Sequence, residues 1–297
     1  MPGSAYRLGL PMWGFDAWRG GLYRARSKPR DFLAQYAEVF DTVEGNTTFY
    51  SLPSETAVDA WRAATPESFR FCFKLPRTVT HERALQGAGT ETSALLHRLA
   101  PLGPRLGPYL VQLPPAFAPE HLDLLDRYLT QWPQALRVAV EVRHRAFFTH
   151  PEAGARLDDL LLARGAARVV MHTAAMRSGD LEHPDILGAR HEKPDLPIDP
   201  RVIETSPVET LVRFVGHPDD APNAPFLDIW ADVLAAWIGG GRRPFFFVHS
   251  PSNVDAPALA RRFHKRLAER VGSTDVDADL PPWPGETPAA GEQLTLL

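Results

Sequence analysis

The chain has 297 residues, is 44% hydrophobic and 23% charged, and carries a formal net charge of −4. That is the profile of a globular protein, and it excludes a polyanion binder acting through its overall field. One cysteine, Cys72, excludes an internal disulfide and a cysteine-built zinc site. The first residues lack the apolar core of a secretory signal, and no run approaches the roughly 20 apolar residues of a membrane span, so a cytoplasmic protein with no membrane contact is expected.

Residues 6–12 read as a first short strand, followed by an aromatic loop holding Trp13 and Trp18. Over 31–40 the apolar residues Phe32, Leu33, Tyr36, Val39 and Phe40 keep helical spacing. A strand over 41–45 runs into a loop, and Ser54 is placed to cap a helix over 55–64. A third strand over 69–76 carries Cys72 between Phe71 and Phe73, and a helix follows around 91–102. The fourth strand, 107–115, stops at Pro114 and Pro115, and a helix spans 119–131. Strand five covers 137–143, a helix 152–164, and strand six 166–172. The stretch 174–208 is irregular and rich in proline and charge, so the helix expected there is missing or degraded. Strand seven (210–216), a helix (226–238), strand eight (244–249) and a last helix (255–269, with Pro257 in its first turn) complete the pattern.

Strands alternating with helices imply parallel βαβ units, and eight units favour a closed (β/α)8 TIM barrel over an open doubly wound sheet. No glycine-rich dinucleotide fingerprint follows the first strand. One barrel domain over 1–271 is expected, with a flexible tail over 272–297.

Alternate side chains of a strand face opposite sides. Taking the polar parity as inward gives Thr42, Glu44 and Asn46 on strand two, Cys72 and Lys74 on three, and Leu110 and Gln112 on four. Strand five contributes Glu141 and Arg143, strand six Val170 and His172, strand seven Leu211 and Arg213, and strand eight Phe247 and His249. A buried charge is costly unless paired or solvated, so this ring reads as a polar pocket at the carboxyl end of the barrel. Individual pairs, Glu44 with Lys74 or Glu141 with Arg143 or Arg213, stay open as structural salt bridges.

The catalytic candidates are Glu44, Lys74, His81, Glu141 and His249. The substrate-binding candidates are Asn46, Tyr50, Gln112, Arg143, His172 and Arg213. His81 lies in the loop after strand three, within reach of the mouth, and Trp13, Trp18, Phe49 and Tyr50 could wall it. Lys74, Arg143 and Arg213 suit a phosphate or carboxylate ligand. Lys74→Ala and Arg213→Ala are therefore expected to abolish anion binding and leave folding nearly intact. Glu44 and Glu141 could act as acid and base, although strands two and five lie far apart around a barrel. A divalent metal on His81, His172, His217 and His249 with Glu44 or Glu141, and a Schiff base at Lys74, also stay open.

The segments GLPMWG (9–14), FDTVEGNTTFYSLPS (40–54), FRFCFKLPRTVTH (69–81), LVQLPPAF (110–117), VAVEVRH (138–144), LVRFVG (211–216) and FVHSPSNVDAPALARRF (247–263) together resemble the YecE-like family, also called domain of unknown function 72. The resemblance runs from about residue 6 to residue 268. It implies a TIM barrel, with a likeness in shape to endonuclease IV, a metal-dependent barrel nuclease. It implies family positions at Glu44, Asn46, Phe49, Tyr50, Lys74, His81, Gln112, Glu141, Arg143 and Arg213. It does not extend to His172, where members often carry aspartate, and it supplies no activity.

The chain closes with Gln293, Leu294, Leu296 and Leu297 around Thr295, resembling the peptide that binds the bacterial DNA sliding clamp. Such leucines would enter an apolar groove while the glutamine fixes register. Docking on its own barrel or on a second copy is the alternative. The expected function is an anion-binding barrel, a phosphoesterase-type enzyme linked to DNA by its tail. A sugar or sugar-phosphate enzyme and a non-catalytic ligand-sensing adaptor are the alternatives.

Overall fold

Most strands of this chain are apolar on both parities in their middle, which suits burial on two faces. The structure, a computed structural model, describes residues 5–198, 200, 210–272 and 276–286. In chain order it runs β1 (Arg7–Leu10), α1 (Phe32–Ala37), β2 (Thr42–Gly45), α2 (Glu55–Ala64), β3 (Arg70–Phe73), α3 (Gly89–Leu99), β4 (Tyr109–Gln112) and α4 (Leu122–Thr130). The second half runs β5 (Val138–Glu141), α5 (Ala146–Thr149), α6 (Pro151–Ala163), β6 (Ala167–His172), α7 (Pro184–Ala189), β7 (Leu211–Val215), α8 (Ala224–Gly239), β8 (Phe245–His249) and α9 (Ala256–Val271).

The strands form one eight-stranded parallel sheet in the order β3-β2-β1-β8-β7-β6-β5-β4. Its two edges meet: Phe71 bridges Leu106 and Lys74 bridges Leu110, with Leu75 N–H donating to the Leu110 carbonyl at 2.9 Å. This closes the expected (β/α)8 barrel and removes the exposed edges an open sheet would leave.

Two apolar layers follow from strand alternation. Cys72, Leu110, Ala139, Ala167, Val169, Leu211, Phe245 and Phe247 pack together inside the barrel. The opposite parity, including Val43, Phe71, Val111, Val140, Val212 and Phe246, packs with the helices outside. Gly9 shows how tight this is: a Cβ there would lie 2.2 Å from the Thr42 carbonyl oxygen. Ser54 caps α2 as expected, accepting from Ala57 N–H at 3.1 Å.

Strand six departs from the expected parity. Ala167 and Val169 face inward, so Met171 does too, and His172 points outward. His172 stacks on Phe214 and accepts from the Trp230 indole N–H at 3.2 Å on its Nδ1. The outward parity also carries Arg168, which pairs with Asp158 of α6 at 2.7 Å. The strand has valines on both parities and a polar residue at its end, and reading inward from that end chose the wrong face.

Two further segments differ from expectation. The stretch after β6 is not wholly irregular: it holds α7, and Met176, Ile186 and Ala189 pack over the inward ends Met171 and Val215. In the C-terminal stretch expected to be flexible, residues 276–286 lie against the barrel. Val276 is buried, Leu280 and Trp283 pack on the core, and Arg261 of α9 sits 3.7 Å over the Trp283 ring. Arg261 also grips Glu286 through two bonds of 2.9 Å. Gln293, Leu294, Leu296 and Leu297 lie outside the described residues. No helix among the described residues is long and apolar enough to cross a membrane.

Candidate functional site

The inward ends of β2, β4, β5, β7 and β8 bring one buried network together at the carboxyl face. Arg213 is its centre. Its Nε and Nη2 donate to both oxygens of Glu44, at 2.7 and 3.1 Å, and its Nη1 donates to Glu141 at 2.6 Å. Arg143 donates from Nε to the other Glu141 oxygen at 2.6 Å and from Nη2 to Gln112 at 2.9 Å. Neutral His249 donates from Nε2 to Glu44 at 3.1 Å, and Asn46 reaches Glu44 and the Pro11 carbonyl at 3.2 and 2.8 Å.

Glu44 and Glu141, on strands that lie far apart around the barrel, do not pair directly and are bridged by one guanidinium. Burial alone would raise both carboxyls, but the arginines outweigh it. Glu141 is held at about 2 by Arg213 and Arg143, and Glu44 is held well below its ordinary range by Arg213 and His249. Two carboxylates face two guanidinium groups, so the network is charge-balanced. This alters the expectation for Arg213: it is the pin of the network, with its charge already committed, and its removal strands two buried carboxylates.

Lys74 stands apart. Its ammonium lies 3.7 Å over the face of Phe49, and no carboxylate among the described residues is within ion-pair distance of it. It is buried, and burial followed by the Arg213 charge pushes it down to about 7. His81 meets the same Phe49 ring edge-on at 5.1 Å and bonds Thr80 Oγ1 at 2.8 Å through Nδ1. Burial and the Lys74 charge push His81 down to about 4, so it is neutral near pH 7. Tyr50 stands exposed on the rim, edge-on to Phe49. Of the aromatics expected to wall the mouth, Trp13 instead packs on Trp61 and Phe71, and Trp18 is buried with its indole N–H donating to the Asn253 carbonyl at 2.9 Å.

Among the described residues, no group of three or more histidine, cysteine or acidic side chains is placed to hold a metal ion. His172 lies outside the barrel, and His217 ties its own loop together through Asn223 and Asp219. The expected metal set is therefore not assembled.

Two mouth residues escaped the sequence reading. Met171 is the true inward end of β6, its sulfur 3.5 Å from Arg143 Nη2. Lys193, in the loop after β6, is held beside the network: Arg143 Nη1 donates to the Glu192 carbonyl at 3.4 Å and Arg177 Nη2 to the Lys193 carbonyl at 2.6 Å. Nothing periodic marks Lys193 in a stretch already rich in charge.

A closed parallel barrel with this polar mouth sits on a chain whose residues 7–285 match the family described as "Protein of unknown function DUF72". The chain belongs to the DUF72 family. Over 291 residues it is 33% identical to the UPF0759 protein YecE of Escherichia coli (strain K12), covering 98% of this chain and 99% of that protein. Two solved DUF72 family structures share the fold. The one from Enterococcus faecalis V583 superposes with a TM-score of 0.66 at 21% identity, over 88% of this chain and 95% of its own. The one from Thermotoga maritima MSB8 gives 0.66 at 23% identity, over 88% and 98%. DUF72 membership and the barrel thus agree with the motifs read in the sequence, and neither carries an activity.

Proposed function

We propose that the barrel mouth binds a small molecule through a phosphate or carboxylate group, and that Lys74 is the residue that meets it. One observation carries this reading. The Glu44–Arg213–Glu141–Arg143 network balances its own charge, which leaves Lys74 as a buried cation without a counter-charge among the described residues. A buried ammonium is costly, and an anionic ligand would supply what it lacks. The cation–π contact with Phe49 holds the ammonium in place while leaving it free to donate. With its proton lost near neutral pH, Lys74 is also suited to pass a proton to or from a bound substrate.

The test is sulfate binding to the full chain by calorimetry, because sulfate keeps its charge across the range used. Lys74→Ala should weaken binding about 10- to 100-fold, the worth of a charge-assisted hydrogen bond. Affinity in the native chain should fall as pH rises through about 7, where Lys74 loses its proton. Equal affinity in the two proteins would remove Lys74 from the site.

A second reading, phosphoester chemistry on DNA, is favoured by the path of the chain. Gly285 lies against the Gly21 and Tyr23 carbonyls in the loop after β1, so the strap 276–286 ends on the mouth side. On this reading a sliding clamp bound at Gln293–Leu297 is tethered to a strap fastened on the mouth side. Loss of clamp binding on deleting 293–297 supports that reading, and unchanged binding removes it.

A further inference from the structure

We infer that Lys193 is a second ligand-binding residue, and that the molecule taken by this mouth carries two anionic groups, one met by Lys74 and the other by Lys193. This rests on the anion-binding reading above and names the ligand class. Four observations carry it.

First, the loop that bears Lys193 is fixed at three successive carbonyls. Arg143 bonds Glu192, Arg177 bonds Lys193, and Thr173 Oγ1 donates to Pro194 at 2.9 Å. Arg143 is itself a member of the network, so the loop is anchored to the floor of the pocket. Ordering a loop costs conformational entropy, and three bonds to consecutive carbonyls hold one side chain's root in place.

Second, Lys193 is half-buried and has no carboxylate within ion-pair distance among the described residues. The oxygens of Glu44 and Glu141 are already occupied by Arg213, Arg143, His249 and Asn46. Burial and the Arg213 charge push Lys193 down to about 8, the same response that Lys74 shows.

Third, the two lysines are carried by different parts of the barrel mouth, one at the end of β3 and the other in the connection after β6. Lys74 shares the Phe49 ring with His81 on the β3 side. Lys193 sits in the connection between β6 and β7, in the loop tied to Arg143 and Thr173. Arg213 lies within the electrostatic reach of both. Two unneutralised cations flanking a neutral floor match a ligand charged at both ends better than a single anion.

Fourth, the loop that follows His249 holds unused polar atoms. Ser250 Oγ and Ser252 Oγ are buried and without a hydrogen-bond partner among the described residues, and Asn253 Oδ1 is likewise unpartnered. Asn253 has a φ of 61°, a left-handed turn conformation that asparagine accommodates. Ser250 follows His249 directly at the carboxyl end of β8, so an unmet buried hydroxyl there is a donor for an anion in the mouth.

The experiment compares probes with one anionic group, acetate and sulfate, against probes charged at both ends: succinate, and a phosphoglycerate that pairs a phosphate with a carboxylate. Binding to the full chain is measured for the native protein, Lys74→Ala, Lys193→Ala and Lys193→Arg. The native protein should bind at least one two-ended probe tenfold or more tightly than either single-ended probe. Lys193→Ala should erase that advantage while keeping native sulfate affinity, and Lys193→Arg should restore most of it. Whether succinate or phosphoglycerate shows the larger effect separates a dicarboxylate from a phosphate-bearing ligand. No two-ended advantage, or an advantage that survives Lys193→Ala with an unchanged thermal midpoint, overturns the inference and leaves the anion pocket standing. Sulfate binding indifferent to Lys74→Ala overturns the pocket itself.

Discussion

Arg213 holds the charges of the mouth together, and Lys74 is the cation left over for the proposed ligand; the difference lies in their partners. Arg213 makes three hydrogen bonds to two buried carboxylates, whereas Lys74 faces an aromatic ring. Truncating one partner of a buried ion pair leaves the other charge stranded, at about 3–5 kcal/mol. Arg213→Ala is therefore expected to lower unfolding free energy by about that amount in urea titrations at pH 7. Glu141 has a depressed pKa, so its contribution is present above the ordinary carboxylate range and is lost as pH falls toward about 2. The gap between native protein and Arg213→Ala should accordingly narrow as pH drops from about 5 toward 3. A gap that stays constant with pH would mean that the carboxylates are not what Arg213 stabilises.

Strand β6 shows where an element can be read and where it cannot. On β2, β5 and β7 the inward parity ends in charge while the outward parity stays apolar, so one choice of face leaves no charge against the helices. Glu44, Glu141 and Arg213 were legible for that reason, and so was the barrel that unites them. On β6 both parities hold a valine, and the polar residues Arg168 and His172 share the parity that faces the helices, so taking the polar parity as inward chose the wrong face. The informative residue was Arg168, whose partner Asp158 sits on α6 and fixes the outward face. Lys193 was illegible for another reason: a loop residue has no period, and its place depends on carbonyl contacts that no spacing encodes. The reassignment of His172 has a direct consequence. His172→Ala removes the acceptor of the buried Trp230 N–H and the ring that stacks on Phe214, so it should destabilise the fold by about 1–3 kcal/mol. It should leave sulfate affinity unchanged, and a tenfold loss of affinity at unchanged stability would return His172 to the mouth.

At the scale of the whole molecule, the C-terminal strap joins the two ends of the barrel. It leaves α9, passes His264, whose Nε2 bonds the Asp277 carbonyl at 2.9 Å, and climbs back to Arg261 and the loop after β1. His264 in turn bonds the Tyr6 hydroxyl at 2.6 Å, so the strap, the last helix and the entry to the first strand form one connected layer. The apolar part of this layer is Val276, Leu280 and Trp283, and its exposed Arg261–Glu286 pair adds little because solvent screens it. Counting only partial burial of three apolar side chains, removal should cost about 2–4 kcal/mol. A chain ending at Gly272 should therefore unfold at lower urea than the full chain, and one ending at Glu286 should match it. Coincident midpoints for all three would mean that the strap rests on the barrel without stabilising it. If the chain ending at Gly272 is weakened but the one ending at Glu286 is not, the barrel's structural boundary lies past α9.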